Sequence, residues 1–211
     1  MNLPARTVER LSKYRRLLAK KRKEENTYIF SHHLARLLNL TPVQVRRDLM
    51  LIGLSGNHRK GYNIEELIML IGKTIDSEEG HNLAIFGMGN LGRAVTRFIR
   101  KNETRMNIVA GFDIDSSKIN LETEGVPCYH ISQVRQQIRE KGIDIAVLTS
   151  SPEAAQEISD ILVESGVKGI LNFTSEHLDV PPAIYLKNYD IMTSLEEIGF
   201  FIKSPGDYSK D

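Results

Sequence analysis

The chain has 211 residues, 41% of them hydrophobic, with one cysteine and a net charge of +1. That length and composition suit one or two domains with a buried core, while a lone Cys128 excludes an internal disulfide framework and fits a reducing compartment. No apolar run approaches the ~18–20 residues that span a membrane, and the first residues lack the apolar core of a signal peptide, so a cytoplasmic protein without a membrane partner is expected.

The small net charge hides an asymmetry. Residues 1–60 carry 14 Lys and Arg against 4 Asp and Glu, a net of +10, whereas residues 61–211 carry 14 against 23, a net of −9. Such a division points to a basic part that meets a polyanion and an acidic part with another task. The cluster Lys20–Lys23 by itself also fits a solvated helix end.

In the basic part, Val8, Leu11, Tyr14 and Leu18 recur at helical spacing and predict a helix from Val8 to about Lys23. Ser31 is a cap for a second short helix burying Leu34, Leu37 and Leu38. Thr41 then caps a third, with Pro42 at its first position and Gln44 completing a capping box. Val45 and Leu49 face inward; Gln44, Arg46 and Arg47 lie on other faces. Two short helices joined by a tight turn form a helix-turn-helix, whose second helix suits the major groove of duplex DNA. Its first turns reach base edges, and arginines nearby reach guanine or phosphate oxygens. Glycines 53, 56 and 61 bracket His58, Arg59 and Lys60, as in a turn whose cationic tip, or wing, tracks a phosphate backbone. His32 and His33 stand without other ligand types at metal spacing, so no metal is expected. Residues 63–77 predict one more helix, and its IGKT lacks the earlier glycine of a P-loop.

The acidic part opens with a strand, Leu83–Phe86, running into Gly87, Gly89 and Gly92. In this G-x-G-x-x-G the first glycine allows a tight turn, the second lets pyrophosphate approach the backbone and the third lets helix and strand pack closely. The helix that follows, with Ala94, Val95 and Phe98 available to the sheet, offers its N-terminal N–H groups to phosphates. Met88, Asn90 and Leu91 complete the candidate turn. A second strand ends in Asp113, 21 residues past Gly92; an acid there accepts the ribose hydroxyls and favours NAD(H) over NADP(H). Strands at 143–150 and 167–173, with a helix between them closed by Gly166, extend a doubly wound parallel sheet, and 183–192 is a candidate further strand. Ligands bind beyond the carboxyl ends of such strands, so Thr149, Ser150, Asn172 and Phe173 are either nicotinamide-end residues or plain loop residues. No Tyr-x-x-x-Lys occurs and neither His130 nor His177 has an evident partner, so no catalytic residue is assigned and the dinucleotide reads as a signal rather than a reagent. At the tail, Ser194 and Glu197 suggest a capping box opening a helix striped with Leu195, Ile198, Phe201 and Ile202. A helix this apolar either packs on its own sheet or grips a second subunit.

TPVQVRRDL, GNHRKGYN, GMGNLG, AGFDID and VKGILNF together resemble the Rex family of redox-sensing transcriptional repressors along essentially the whole chain. The resemblance implies an α/β homodimer: winged-helix heads (1–78), Rossmann-like NAD(H)-binding domains (79–192) and a swapped C-terminal dimerisation helix (193–211). It implies binding to double-stranded operator DNA that is released as NADH rises relative to NAD. It also implies a switch in which Arg16 pairs with Asp190 across the dimer. Family members can place a tyrosine in that network about where Phe98 stands, which implies weaker NADH selectivity here. The strand GILNF also resembles the CoA-binding domain of acyl-CoA ligases. A small NAD-dependent oxidoreductase with a basic appendage, and a DNA-binding protein whose Rossmann domain is a scaffold or binds another nucleotide, stay open as alternatives.

Overall fold

The basic segment folds around one stripe of its first helix, α1 (Ala5–Arg22). Leu11, Tyr14 and Leu18 are fully buried along it, as their spacing predicts. Val8, expected on that stripe, is 37% exposed: it lies roughly 90° round the helix from the stripe's centre, and Thr7 takes the inward place. The computed structural model describes residues 3–22, 27–54, 60–102 and 105–203, which divide into two compact units, Met1–Glu78 and Glu79–Asp211.

After α1 the first unit continues through β1 (Tyr28–Ile29), α2 (Ser31–Leu38), α3 (Pro42–Leu51), β2 (Tyr62–Asn63) and α4 (Ile64–Ile75). Ser31 is not a cap; it is the first residue of α2, and Phe30 precedes it without a side-chain cap bond. Leu34 and Ala35 are buried, but Leu37 is exposed, because it falls roughly 110° from the stripe that Leu34, Ala35 and Leu38 share. Asn39 ends α2 in the left-handed conformation, φ 55°, and the chain re-enters a helix at Pro42. Thr41 Oγ1 accepts from Gln44 N at 3.1 Å, so half of the expected capping box forms. The other half does not, because the Gln44 side chain donates to Asp48 Oδ1 at 3.0 Å. Val45 and Leu49 are fully buried. β2 pairs antiparallel with β1, Tyr62 opposite Ile29, so the strand leaving the basic turn joins a strand from much earlier in the chain. His58 and Arg59 lie outside the described residues; Lys60 is an exposed turn residue. α4 is capped by Asn63, whose Oδ1 accepts from Glu66 N at 3.0 Å, and buries Ile64, Leu67 and Ile71.

A single carboxylate joins α1 to α3. Asp48, 1% exposed, accepts from Arg10 Nε at 2.6 Å, Arg10 Nη2 at 2.7 Å, the Tyr14 hydroxyl at 2.7 Å and the Gln44 amide. Burial pushes this carboxyl up, but Arg10, Tyr14 and Gln44 outweigh it and hold it below the usual range.

The second unit is built on a seven-stranded sheet in the order β5-β6-β4-β3-β7-β8-β9. The strands are β3 (His81–Phe86), β4 (Met106–Asp113), β5 (Glu122–Thr123), β6 (Val126–His130), β7 (Ile143–Leu148), β8 (Gly169–Asn172) and β9 (Tyr185–Asn188). All but β5 run parallel to their neighbours. Without β5 this is the doubly wound dinucleotide-binding order, with the switch point between β3 and β7. Alternation along β3 sends Leu83 and Ile85 to the face covered by α5 (Asn90–Lys101). Ala84 and Phe86 face α6 (Val134–Lys141) and α7 (Pro152–Glu164), and Phe86 stacks on Phe112 with ring centroids 4.8 Å apart.

Two expectations fail, one about a helix face and one about a cap. On α5 the sheet-facing residues are Gly92, Val95, Thr96 and Ile99, while Ala94 is exposed and Phe98 is 68% exposed: the i, i+3, i+4, i+7 stripe runs from Gly92, leaving positions 94 and 98 on the far side. The terminal helix α8 spans Ile191–Lys203 and opens at Asp190, whose Oδ1 accepts from Thr193 N at 3.1 Å. Ser194 is inside the helix and donates to Asp190 O. α8 buries no residue.

Replacing Asp48 with Ala leaves the Arg10 guanidinium and the Tyr14 hydroxyl without their shared acceptor, and should destabilise the protein by about 3 kcal/mol or more in denaturant titration. Because the Asp48 carboxyl is held below its unfolded value of about 3.9, its contribution is complete above that pH and is lost as pH falls through the lower folded value. The difference in stability between native protein and Asp48→Ala should therefore shrink below about pH 4.

Candidate functional site

The glycine turn is pinned from both flanking strands. On the β4 side, Gly87 N donates to Phe112 O at 2.8 Å and Met88 N donates to Asp113 Oδ2 at 2.9 Å. On the β7 side, Thr149 N donates to Phe86 O at 2.8 Å, and Thr149 Oγ1 lies 2.9 Å from Gly87 O. The three glycines differ in what surrounds them. A Cβ at Gly87, where φ is 102°, would fall 2.7 Å from backbone atoms of Thr149 and Ser150, and one at Gly92 would fall 2.0 Å from Gly87 O. A Cβ at Gly89 would meet nothing within 4 Å. Gly87 and Gly92 are thus required by the protein's own packing, and Gly89 faces open space at the N-terminus of α5, where an anionic ligand gains most from the N–H groups.

The remaining turn residues separate by role. Met88 is 1% exposed, its thioether packed over Gly111, so only its backbone fronts the turn. Asn90 is exposed and accepts from Arg93 Nη2 at 2.8 Å. Leu91 is 41% exposed. Arg93 was not singled out by the sequence, since an arginine in a first helical turn looks like any solvated cation.

Asp113 closes the other side. Its Oδ2 also accepts from Lys118 Nζ at 2.9 Å and its Oδ1 from Asp115 N at 3.0 Å. Burial raises this carboxyl, but Lys118 and the Asp115 and Met88 amides outweigh it and hold it below the usual range. It is therefore an ionised acceptor at the strand end where a ribose would be recognised. Lys118 itself lies in the turn after β4, which no periodicity marks, so nothing in the sequence pattern pairs it with Asp113.

At the opposite end, Phe173 packs with the cluster of Leu83, Ile85 and Met88, and its ring lies 5.3 Å from that of Tyr189. Tyr189 reaches this place because β9 runs beside β8. Asn172 is a correction. It is 0% exposed; its amide donates to Glu176 O at 2.9 Å and Asn188 Oδ1 at 3.1 Å, and its oxygen accepts from Thr174 N and Oγ1. With both donors and both lone pairs taken, Asn172 secures the loop behind Phe173 and has nothing left to offer a ligand. Of the expected switch residues, Arg16 is exposed on α1, Phe98 is exposed on α5 and Asp190 caps α8. Among the described residues no group of three His, Cys, Asp or Glu side chains is placed to hold a metal, and no helix is long and apolar enough to cross a membrane.

In the first unit, Thr41 starts α3 and both Arg46 and Arg47 are exposed along it. Arg46 Nη1 lies 3.4 Å from Ser31 Oγ. Gln44 is drawn toward Asp48 and is only partly exposed.

Comparison with known proteins agrees with both halves of this arrangement. Residues 78–176 match the family model described as a CoA binding domain, and residues 2–49 match a putative DNA-binding protein N-terminus. The redox-sensing transcriptional repressor Rex of Geobacillus sp. (strain WCH70) is 37% identical over 95% of this chain and 93% of its own. That of Exiguobacterium sibiricum is 34% identical over 95% and 92%. Among solved structures, RSP in complex with β-NAD+ and operator DNA superposes with a TM-score of 0.88 at 30% identity, covering 96% of this chain and 94% of that one. RSP in complex with β-NADH gives 0.85 at 29%, covering 96% and 95%.

The contrast between the glycines is testable. Gly89→Ala should keep the thermal stability of the native protein yet weaken dinucleotide binding roughly tenfold or more, because the new methyl occupies space left for the ligand. Gly92→Ala should lower both, since its methyl collides with Gly87 O. Calorimetric titration and thermal unfolding of the two variants separate the cases; equal unfolding temperatures for both would overturn the assignment.

Proposed function

The chain belongs to the Rex family of redox-sensing transcriptional repressors, and from that membership we infer that it binds operator DNA through its first unit, binds NAD(H) through its second, and releases the DNA when NADH binds. It is a regulator and not an enzyme. The observation that carries this reading is the pairing, in one chain, of a capped basic helix with a dinucleotide turn whose middle glycine faces open space. Cytoplasmic action follows from the DNA target.

Within that function we assign Gly87, Gly89, Asn90, Leu91, Gly92 and the Met88 backbone to the pyrophosphate turn, Asp113 to the ribose, Thr149 to holding the turn, and Phe173 to the nicotinamide end. Thr41, Arg46, Arg47, His58, Arg59 and Lys60 form the DNA-facing set. The apolar wall at Phe173 accepts the uncharged reduced ring more readily than the positively charged oxidised one, for which burial without a partner is costly. The protein acts as a homodimer, as a helix-turn-helix reading two half-sites requires. The exposed apolar side of α8, with Leu195, Ile198 and Phe201 each 46% exposed or more, supports its exchange between subunits, and the pairing of Arg16 with Asp190 across the dimer belongs to the same reading.

A ligand shifts an equilibrium only by its differential affinity for the two states, so operator DNA must weaken NADH binding by the factor by which NADH weakens DNA binding. Titrating NADH into the protein with and without saturating operator should give different dissociation constants, and identical ones would end the redox-sensor reading. Arg46→Ala or Arg47→Ala should cost about 1–3 kcal/mol of operator binding if the arginine pairs with a base, read by fluorescence anisotropy at fixed salt.

A further inference from the structure

Resting on the DNA-binding reading above, we propose that Val43 is a base-reading residue that contacts the 5-methyl group of a thymine in the operator. α3 has two unlike sides. Val45 and Leu49 are fully buried, whereas Val43 is 64% and Met50 68% exposed. Positions 43, 46, 47 and 50 share one helical face, so Val43 stands on the side that also carries Arg46 and Arg47, in the unit that holds the chain's positive charge.

Position sharpens this. Val43 is the second residue of α3, next to Pro42 and just past the cap at Thr41, and the N-terminal residues of a recognition helix are the ones that touch base edges. Gln44, the first-turn residue able to pair with adenine, is drawn away by Asp48. The first turn is left with an aliphatic side chain between cationic neighbours. Of the four bases only thymine offers a methyl group to the major groove. The flanking arginines match a phosphate-lined groove and disfavour an apolar protein partner.

The test uses the full-length protein and a duplex it selects from a randomised pool. Thymines of one half-site are replaced singly by deoxyuridine, which lacks only the methyl. At one position the native protein should lose about fourfold in affinity, the amount one buried methyl contributes. Val43→Ala should bind the unmodified duplex more weakly by a similar factor and show no further loss with deoxyuridine there. Its salt dependence should equal that of the native protein, since no phosphate contact is lost. Met50→Ala should keep the deoxyuridine sensitivity at that position. If deoxyuridine has no effect on the native protein, or the same effect on both proteins at every position, the proposal is overturned. If no duplex is enriched by selection, the DNA-binding reading itself fails and takes the proposal with it.

Discussion

The nucleotide-binding unit depends on how closely α5 approaches the end of β3. A Cβ at Gly92 would lie 2.0 Å from the Gly87 carbonyl oxygen, so only glycine lets the helix begin where it does. That start brings the first N–H groups of α5 to the carboxyl edge of the sheet, beside Asp113 at the end of β4 and Thr149 just past β7. Strand order does the rest: β4 and β7 leave β3 in opposite directions, and the crevice between them is where an open parallel sheet receives a ligand.

The DNA-facing unit is governed by a different kind of constraint. Its two functional helices are short, and α3 alone would be marginal in water. Asp48 ties it to α1 through three donors, two from Arg10 and one from Tyr14, so the helix that presents Arg46 and Arg47 is held by charge-assisted hydrogen bonds as well as by Val45 and Leu49. Such bonds have directional geometry, which an apolar contact lacks. The same carboxylate draws Gln44 inward, and the chemistry offered to DNA by the first turn changes as a result.

Assembly is implied by what the single chain leaves uncovered. α8 is apolar along much of its length and buries no residue, although an aliphatic and aromatic stripe of that size is normally removed from water. The proposed exchange of α8 between subunits would cover this stripe and fit the two-fold symmetry of a DNA-reading dimer. Release of DNA by NADH then requires only that the nucleotide prefer one arrangement of the dimer over another.

The sequence by itself determined most of the local framework. Spacing placed α1 and the inward residues of α3, Thr41 announced its cap, the three glycines marked the turn, and Asp113 ended the second strand where a ribose acid belongs. These features act over a few residues, and short-range sterics and hydrogen bonds decide them. Only the tertiary structure decided which outward side chains are spoken for. Asp48 captured Gln44 from a neighbouring turn and Arg10 from another helix. Asn172 turned out to be saturated by the loop that follows it and by Asn188 at the end of β9, Lys118 reached Asp113 across an irregular turn, and Tyr189 met Phe173 because β9 lies beside β8. Val8 and Leu37 stand off their stripes by an angle that spacing alone contains, whereas the exposure of Phe98 depends on how α5 is rotated toward the sheet, which what stands opposite decides. The bonds from Arg10 to Asp48 and from Asn172 to Asn188 join residues distant in sequence and leave no local trace. Gln44 and Asp48, or Lys118 and Asp113, stand close in sequence, but which neighbour each side chain takes was decided only once the strands and helices had been brought together.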